Sequence, residues 1–169
     1  MIEHTLGDSA FLLRLPAAIL GTVAVLFIWR IAHQLGFEAK TAFVVGLIAA
    51  VFPRFLYYSQ EARMYPLLLC AVMGTIWAAL GSRWLLFAVF GLIVVYSHNL
   101  GLIYIGLLGG MVLLLRFPRQ WPINIAEAFR ALRAPLLALV AIAVGWLPWA
   151  PTAFYQISAV KKGFWVDPL

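Results

Sequence analysis

The polar positions of this chain are confined to short intervals between long apolar runs. Six apolar segments stand out, separated by charges, prolines or glycines: residues 11–31, 41–57, 64–80, 84–97, 100–116 and 134–153. Runs of this length and uniformity are typical of membrane spans. Only helices can form them, because an isolated strand would leave its backbone groups unpaired in lipid. The pattern therefore predicts an all-α integral membrane protein with about six transmembrane helices, in a single transmembrane domain over residues 1–169.

The composition supports a membrane protein and argues against a nucleic-acid partner. Hydrophobic residues make up 65% of the chain and charged residues only 11%, whereas a soluble domain carries about 25% charged residues. The formal charge is +6, but the basic residues lie in short loops, where they set membrane orientation. The lone cysteine, Cys70, lies within an apolar run and is predicted to be a buried thiol, without disulfide or metal spacing.

Charge counts on alternate sides of the predicted spans indicate an orientation. One side carries seven basic and two acidic residues, and the other carries five basic and four acidic residues. The more basic side is expected to be cytoplasmic, which places both termini and the turn YYSQEARMYP, residues 57–66, outside. An outside N-terminus without a signal peptide is unusual. We therefore expect an upstream helix with its outer loop, and a C-terminal continuation, to be missing from this sequence.

The longest connection on the predicted inner side favours a short amphipathic helix. Asn124 can cap it, with Glu127 three residues later. Ile125, Phe129 and Leu132 then form one apolar face. We expect this helix to lie flat on the inner leaflet.

The turn at residues 57–66 concentrates charge on the side where basic residues are normally sparse. Ser59 can cap the helix over 64–80 if that helix begins a turn early, which would put Glu61 in its first turn. In one interpretation Glu61 only caps and pairs with a nearby arginine. In the other, the helix N-terminus, Arg63 and Arg14 form an anion site that binds phosphate.

His98 is a second polar residue at the same predicted side. The segment 84–97 has 14 residues, which span about 21 Å at about 1.5 Å each and fall short of a ~30 Å hydrocarbon core. The turn SHN can therefore end in a polar cavity below the surface. His98 is either an interfacial histidine bonded to backbone, or a neighbour of Glu61 that contacts substrate or shares a divalent metal ion. Two ligands are too few to name a metal.

Several of these strings together resemble a known family. LRLPAAILG, FPRFLYYSQEARMYPLLL, YSHNLG, and LPWAP followed by FWVDP resemble the GT-C superfamily of membrane glycosyltransferases, in particular bacterial relatives of protein O-mannosyltransferases and aminoarabinose transferases. The resemblance covers almost the whole chain, and SQEARMY is its most specific part. It implies transfer of a sugar from a polyprenyl-phosphate donor to a protein, lipid or glycan acceptor at the extracytoplasmic face of the bacterial plasma (inner) membrane.

The resemblance also implies roles for individual residues. Arg14 corresponds to an arginine near the donor site that serves the lipid phosphate, and Glu61 corresponds to an acidic position facing the active-site cavity. Arg63 and Tyr65 shape that cavity or hold the phosphate, and His98 corresponds to an outer histidine. The chain departs from the family in one respect, because the catalytic aspartate of the first outer loop has no counterpart here. Activity of these 169 residues alone is therefore doubtful.

A second interpretation of the charged turn, from another functional class, stays open. The same anion site would serve a non-catalytic polyprenyl-phosphate-binding or transport-related membrane protein. Transporters more often carry charges or broken helices at mid-membrane, whereas the charges here lie at the ends of the apolar segments.

Overall fold

The chain is almost entirely helical, with short turns, in the part that the computed structural model describes. That part comprises residues 10–61, 63–118 and 124–162, with side chains left out at 10, 11, 157 and 159–162. The elements are α1 (Ala10–Gln34), α2 (Ala39–Val51), α3 (Pro53–Gln60), α4 (Tyr65–Leu80), α5 (Trp84–Ser97), α6 (Gly101–Arg116), α7 (Ile125–Trp146), a 3₁₀ turn (Leu147–Trp149) and α8 (Ala150–Lys162). Within these ranges no strand is present, which confirms the all-α class there.

Each predicted apolar segment forms helix, but the helices differ in their capacity to span a membrane. Two of them, Leu12–Gln34 and Ile125–Gln156, are long and apolar enough to cross, and α2 with α3 makes a third if that bent pair is one span. Helices α4, α5 and α6 have 16, 14 and 16 residues, and a ~30 Å core requires about 20. Two or three spans are therefore supported, and six complete spans stay a prediction.

The segment predicted as one helix over 41–57 is broken. Helix α2 ends at Val51 and α3 begins at Pro53, with a bend of 57° between them. Pro53 has no N–H to continue the helix, and its ring disfavours a helical conformation at the preceding residue. Phe52 accordingly has an extended backbone, with φ −65° and ψ 125°. The prediction of a single helix was wrong here, and residues 53–60 form a separate short helix.

The predicted capping of the helix over 64–80 by Ser59 was wrong, because residues 53–60 form a helix of their own. Ser59 lies inside α3, and its hydroxyl donates to the Leu56 carbonyl at 2.9 Å. Helix α4 begins at Tyr65 with Met64 as its N-cap and no side-chain cap. Glu61 lies at the C-terminal cap of α3 in an extended conformation, not in the first turn of α4.

The predicted amphipathic helix is capped as expected but does not lie apart from the span. Asn124 Oδ1 accepts hydrogen bonds from the N–H groups of Ala126 at 3.0 Å and Glu127 at 3.3 Å. Helix α7 then continues for 22 residues, through Pro135. The separate surface helix was therefore a wrong prediction, because no turn residue separates it from the apolar segment that follows.

Close packing of α4, α5, α6 and α7 forms the core. Phe87, Val94 and Ile142 are at most 2% exposed, and Cys70 is buried as predicted. Glycines bring the helices together: a Cβ at Gly74 would lie 2.9 Å from the Phe90 ring, and one at Gly109 would lie 2.6 Å from Leu139 Cδ2. Small residues at helix interfaces are typical of membrane bundles, where packing replaces the hydrophobic effect.

Large apolar side chains cover the outside of the bundle. Leu85, Leu107 and Leu114 are 79%, 69% and 76% exposed. A soluble monomer rarely exposes a contiguous apolar surface of this extent. The outer surface therefore supports a lipid-facing bundle.

We predict that Gly101→Ala destabilises the bundle. Gly101 begins α6, and a Cβ there would lie 2.7 Å from Val95 Cα and overlap the Val94 carbonyl. Because backbone atoms cannot rotate away, α6 must move, and overpacking of this kind costs about 1–3 kcal/mol. Thermal unfolding in detergent micelles, followed by circular dichroism, should show a lower midpoint.

Gly106→Ala is the matched control, since Gly106 lies on the same helix and a Cβ there meets nothing within 4 Å. Equal midpoints for the Gly101 and Gly106 variants would contradict the close approach of α5 and α6.

Candidate functional site

The candidate site residues identified in the sequence lie at one end of the bundle. At this end, called the site end, α3 ends, α4 begins, α5 ends and α6 begins. The turn between α5 and α6 is tied to α8, since Asn99 Nδ2 donates to Gln156 Oε1 at 3.2 Å. The opposite end contains the α4–α5 turn, where Arg116 donates to Ser82 Oγ at 2.6 Å.

Helix α3 divides the site end into two sides. Arg54, Phe55 and Tyr58 line one cavity, whereas Tyr57 and Gln60 line another, as expected for residues on different faces of a helix. Close packing on α1 fixes this orientation: a Cβ at Gly21 would lie 2.6 Å from Ser59 Cβ. Helix α3, which begins at Pro53, therefore separates the two cavities.

The smaller cavity, of about 340 Å³, brings together Arg14 and Glu61 with Tyr57 and Gln60. Glu61 Oε1 is 3.2 Å from Arg63 Nε, and the Glu61 side chain is 18% exposed against 68% for Arg63. An exposed pair contributes little to stability, with a median of about 0–1 kcal/mol. Glu61 therefore pairs with Arg63 and lines the same cavity as Arg14, whereas Arg63 is not among the residues that line that cavity.

The larger cavity, of about 470 Å³, contains the other two predicted residues. Tyr65 and His98 line it, together with Arg54, Tyr58 and Tyr104. The rings of Tyr58 and Tyr65 are 5.1 Å apart between centroids. Apolar side chains complete the wall, among them Phe55, Leu68 and Val72. His98 and Glu61 thus line different cavities.

The hydrogen bond of His98 assigns its neutral tautomer. His98 is the C-terminal cap of α5, and its Nδ1 accepts from the Leu100 N–H at 3.0 Å. A nitrogen that accepts a hydrogen bond carries no proton, so the neutral ring carries its proton on Nε2. Its Nε2 is then a donor and offers no lone pair to a metal.

A divalent ion shared by Glu61 and His98 does not fit this arrangement. The two side chains line separate cavities, and the His98 nitrogen that could reach an ion carries a proton. Among the described residues no three His, Cys, Asp or Glu side chains come close enough to hold a metal. We therefore derive no step through a metal ion.

Three side chains of the larger cavity were missed in the sequence. Arg54 and Tyr58 are four residues apart, a spacing that becomes informative only once α3 is known to be a helix of its own. Tyr104 lies within an otherwise apolar segment, and nothing in the pattern distinguishes it from an interfacial tyrosine. Only the packing of α6 beside α4 and α5 brings it to this cavity.

Comparison with known proteins adds no assignment. No protein-family model, curated protein or solved structure matches this chain. The functional argument therefore depends on the residues and geometry of the site end.

We predict that both sides of the site end label from the same face of the membrane. Gln60 lies on α3, Asn99 lies in the α5–α6 turn, and both are exposed. In a Cys70→Ala background, Gln60→Cys and Asn99→Cys should react with a membrane-impermeant maleimide in vesicles of the same orientation.

Ser82→Cys is the control, since Ser82 is exposed at the opposite end of the bundle and should react only in vesicles of the opposite orientation. Labelling of Gln60→Cys and Asn99→Cys from different faces would show that the two cavities do not open to one compartment.

Proposed function

We propose that this chain belongs to the GT-C membrane glycosyltransferases and transfers a sugar from a polyprenyl-phosphate donor to an acceptor hydroxyl. The reaction takes place at the extracytoplasmic face of a bacterial inner membrane. The observation that carries this proposal is that Arg14 and Glu61 line one cavity at the end of an apolar bundle, with Arg63 paired to Glu61. The resemblance of SQEARMY and its neighbouring strings to that family supports it.

The arginines provide the donor-binding part of the site. Phosphate oxygens accept charge-assisted hydrogen bonds from guanidinium groups. Arg14 lines the cavity from α1, and the exposed Arg63, in the segment between α3 and α4, lies beside it through its ion pair with Glu61. The prenyl chain would lie along the apolar outer surface of the bundle, so that only the head group enters the cavity.

Glu61 is the carboxylate placed to take part in the chemistry. Arg63 holds Oε1, so Oε2 is the oxygen that accepts the proton of the acceptor hydroxyl. The acceptor oxygen forms a bond to the anomeric carbon while the bond from that carbon to the phosphate oxygen breaks. The phosphate leaves with the bonding electron pair, and the arginines stabilise the charge that develops on it. Inversion at the anomeric carbon follows.

Tyr65 and His98 contact the other side of the substrate complex. They line the larger cavity beyond α3, where phenol and imidazole donors can bind a polar group without taking part in proton transfer. The sugar and the acceptor are not specified by these residues.

We predict that Glu61→Gln abolishes most of the transfer activity of the full chain in membranes. Glutamine keeps the shape but cannot accept the proton, and loss of a general base costs about 10²–10⁴-fold in rate. Arg63→Ala should also reduce transfer, because it removes a cation from the leaving phosphate. The assay follows labelled sugar from a polyprenyl-phosphate donor to endogenous acceptors.

Glu38→Gln is the control, because Glu38 is an exposed carboxylate at the opposite end, preceding α2. Unchanged turnover by the Glu61 variant would remove Glu61 from the site. Retained binding of polyprenyl phosphate with no transfer by the unsubstituted chain would favour the non-catalytic binding protein instead.

A further inference from the structure

Helices α1 and α5 carry polar residues at two levels, separated by apolar stretches of similar length. Arg14 and Arg30 on α1 are 16 residues apart, which corresponds to about 24 Å at about 1.5 Å per residue. Helix α5 lies between Arg83 and His98, which are 15 residues apart, or about 22 Å. Both distances are shorter than a ~30 Å hydrocarbon core.

Helices α6 and α7 show the same spacing. Asn99, just before α6, and Arg116, its last residue, are 17 residues apart, or about 25 Å. On the path of α7 and the 3₁₀ turn, Arg133 and Trp149 are 16 residues apart, or about 24 Å. The Trp149 ring lies 6.4 Å from that of Tyr96, at the level where tryptophan and tyrosine mark an interface. The spacing is therefore common to helices whose lengths are 25, 14, 16 and 22 residues.

Contacts between helices place these polar residues in two layers. At the site end, Arg14 and Glu61 line one side of α3, and Arg54 and His98 line the other. We call this the site-end layer, and it comprises Arg14, Arg54, His98, Asn99 and Trp149.

The second layer lies at the opposite end of the bundle. Arg116 at the end of α6 donates to Ser82 Oγ in the α4–α5 turn. Helix α1 reaches the same level, because the Phe27 ring is 5.3 Å from that of Trp77 and Arg30 follows Phe27 by about one turn. We call this the opposite layer, and it comprises Arg30, Arg83, Arg116 and Arg133.

The outward-facing surface between the two layers is mainly apolar. Ile19 on α1, Leu107 on α6 and Val140 on α7 are each more than half exposed. Thr22 is also exposed, but its hydroxyl donates to the Ala18 carbonyl of the same helix. The apolar surface available to lipid is therefore about 24 Å high, about 6 Å less than an ordinary hydrocarbon core.

A short apolar surface can be accommodated by a thinner bilayer or by side chains that extend to distant head groups. The arginines of the opposite layer do not extend in this way. The guanidinium groups of Arg30, Arg83 and Arg116 lie 5.0, 4.3 and 5.4 Å from the centroid of a tryptophan ring. Because these cations are packed on rings at the ends of the helices, a change in the lipid fits the structure better than extension of the side chains.

We propose that this protein thins the bilayer around it to a hydrocarbon core of about 24 Å, and is best matched to lipids with short acyl chains. Helices α4, α5 and α6 then cross the membrane completely, although they are too short for a ~30 Å core. Helix α7 leaves the core at the 3₁₀ turn, and α8 lies beyond the site-end layer, where Gln156 accepts from Asn99. The proposal concerns the lipid around the bundle and does not depend on the transfer reaction.

The test compares the thermal unfolding midpoint of the full chain in vesicles of dimyristoleoyl-, dioleoyl- and dierucoyl-phosphatidylcholine, which differ in acyl-chain length. Circular dichroism follows unfolding. The midpoint should be highest in the short-chain lipid and several degrees lower in the long-chain lipid, because a thicker core covers the polar layers. Equal midpoints in the three lipids, or a maximum in either longer lipid, would overturn the proposal.

A pair of double variants tests whether the height of the charges sets this preference. Arg30→Leu with Arg116→Leu lengthens the apolar surface of α1 and α6, so the highest midpoint should move to the dioleoyl lipid. Arg30→Lys with Arg116→Lys is the matched control, since lysine keeps a charge at the same height while altering the contacts of both arginines. Its maximum should stay in the short-chain lipid.

Each variant is compared with itself across the three lipids, so a general loss of stability does not change the result. Size-exclusion chromatography in detergent confirms that each variant is folded before reconstitution. If the leucine and lysine variants share the same preferred lipid, the height of the two charges does not set the thickness, and the proposal is wrong.

Discussion

Pro53 cannot donate a backbone hydrogen bond, and the architecture of the site end depends on that missing bond. Without it, α2 would continue past Phe52 and carry the residues of α3 along its own axis. The 57° bend instead turns an eight-residue helix away from the axis of α2 and against α1. Its two faces then line two cavities, one with Glu61 and the other with Arg54.

Close helix packing holds that turned helix in place. Gly21 allows α3 to approach α1, and Gly101 allows α6 to begin directly against the backbone of α5. In a lipid environment such contacts have to come from shape, because apolar side chains gain little by leaving one apolar medium for another. The positions of Ser59 and Tyr104, and of the cavities beside them, therefore depend on the close helix approach that these two glycines allow.

The two ends of the bundle use arginine differently. At the end opposite the site, Arg83 stacks on Trp77 at 4.3 Å from the ring centroid, and Arg116 stacks on Trp84 at 5.4 Å. Cation–π contacts of this kind give each guanidinium group a favourable partner within the protein. At the site end Arg63 pairs with Glu61, whereas Arg54 makes no such contact with a described residue. This difference supports the proposal that a ligand binds at the site end.

The sequence by itself determined the class of fold and the position of most helices. Long apolar runs require helix in lipid, so α1, α4, α5 and α6 begin and end close to the predicted segments, and Asn124 caps α7 as its side-chain chemistry requires. It also drew attention to Arg14, Glu61 and Arg63, since charges in so apolar a chain stand out; Arg14 and Glu61 line one cavity, and Arg63 pairs with Glu61.

The tertiary structure alone decided how those residues are shared between cavities. Which face of α3 meets which neighbour depends on the bend at Pro53 and on helix approach at glycines, and both involve contacts between residues distant in the chain. The separation of His98 from Glu61, and the recruitment of Arg54 and Tyr104, are consequences of that packing. A linear pattern carries periodicity and charge, but it does not carry the angle between helices.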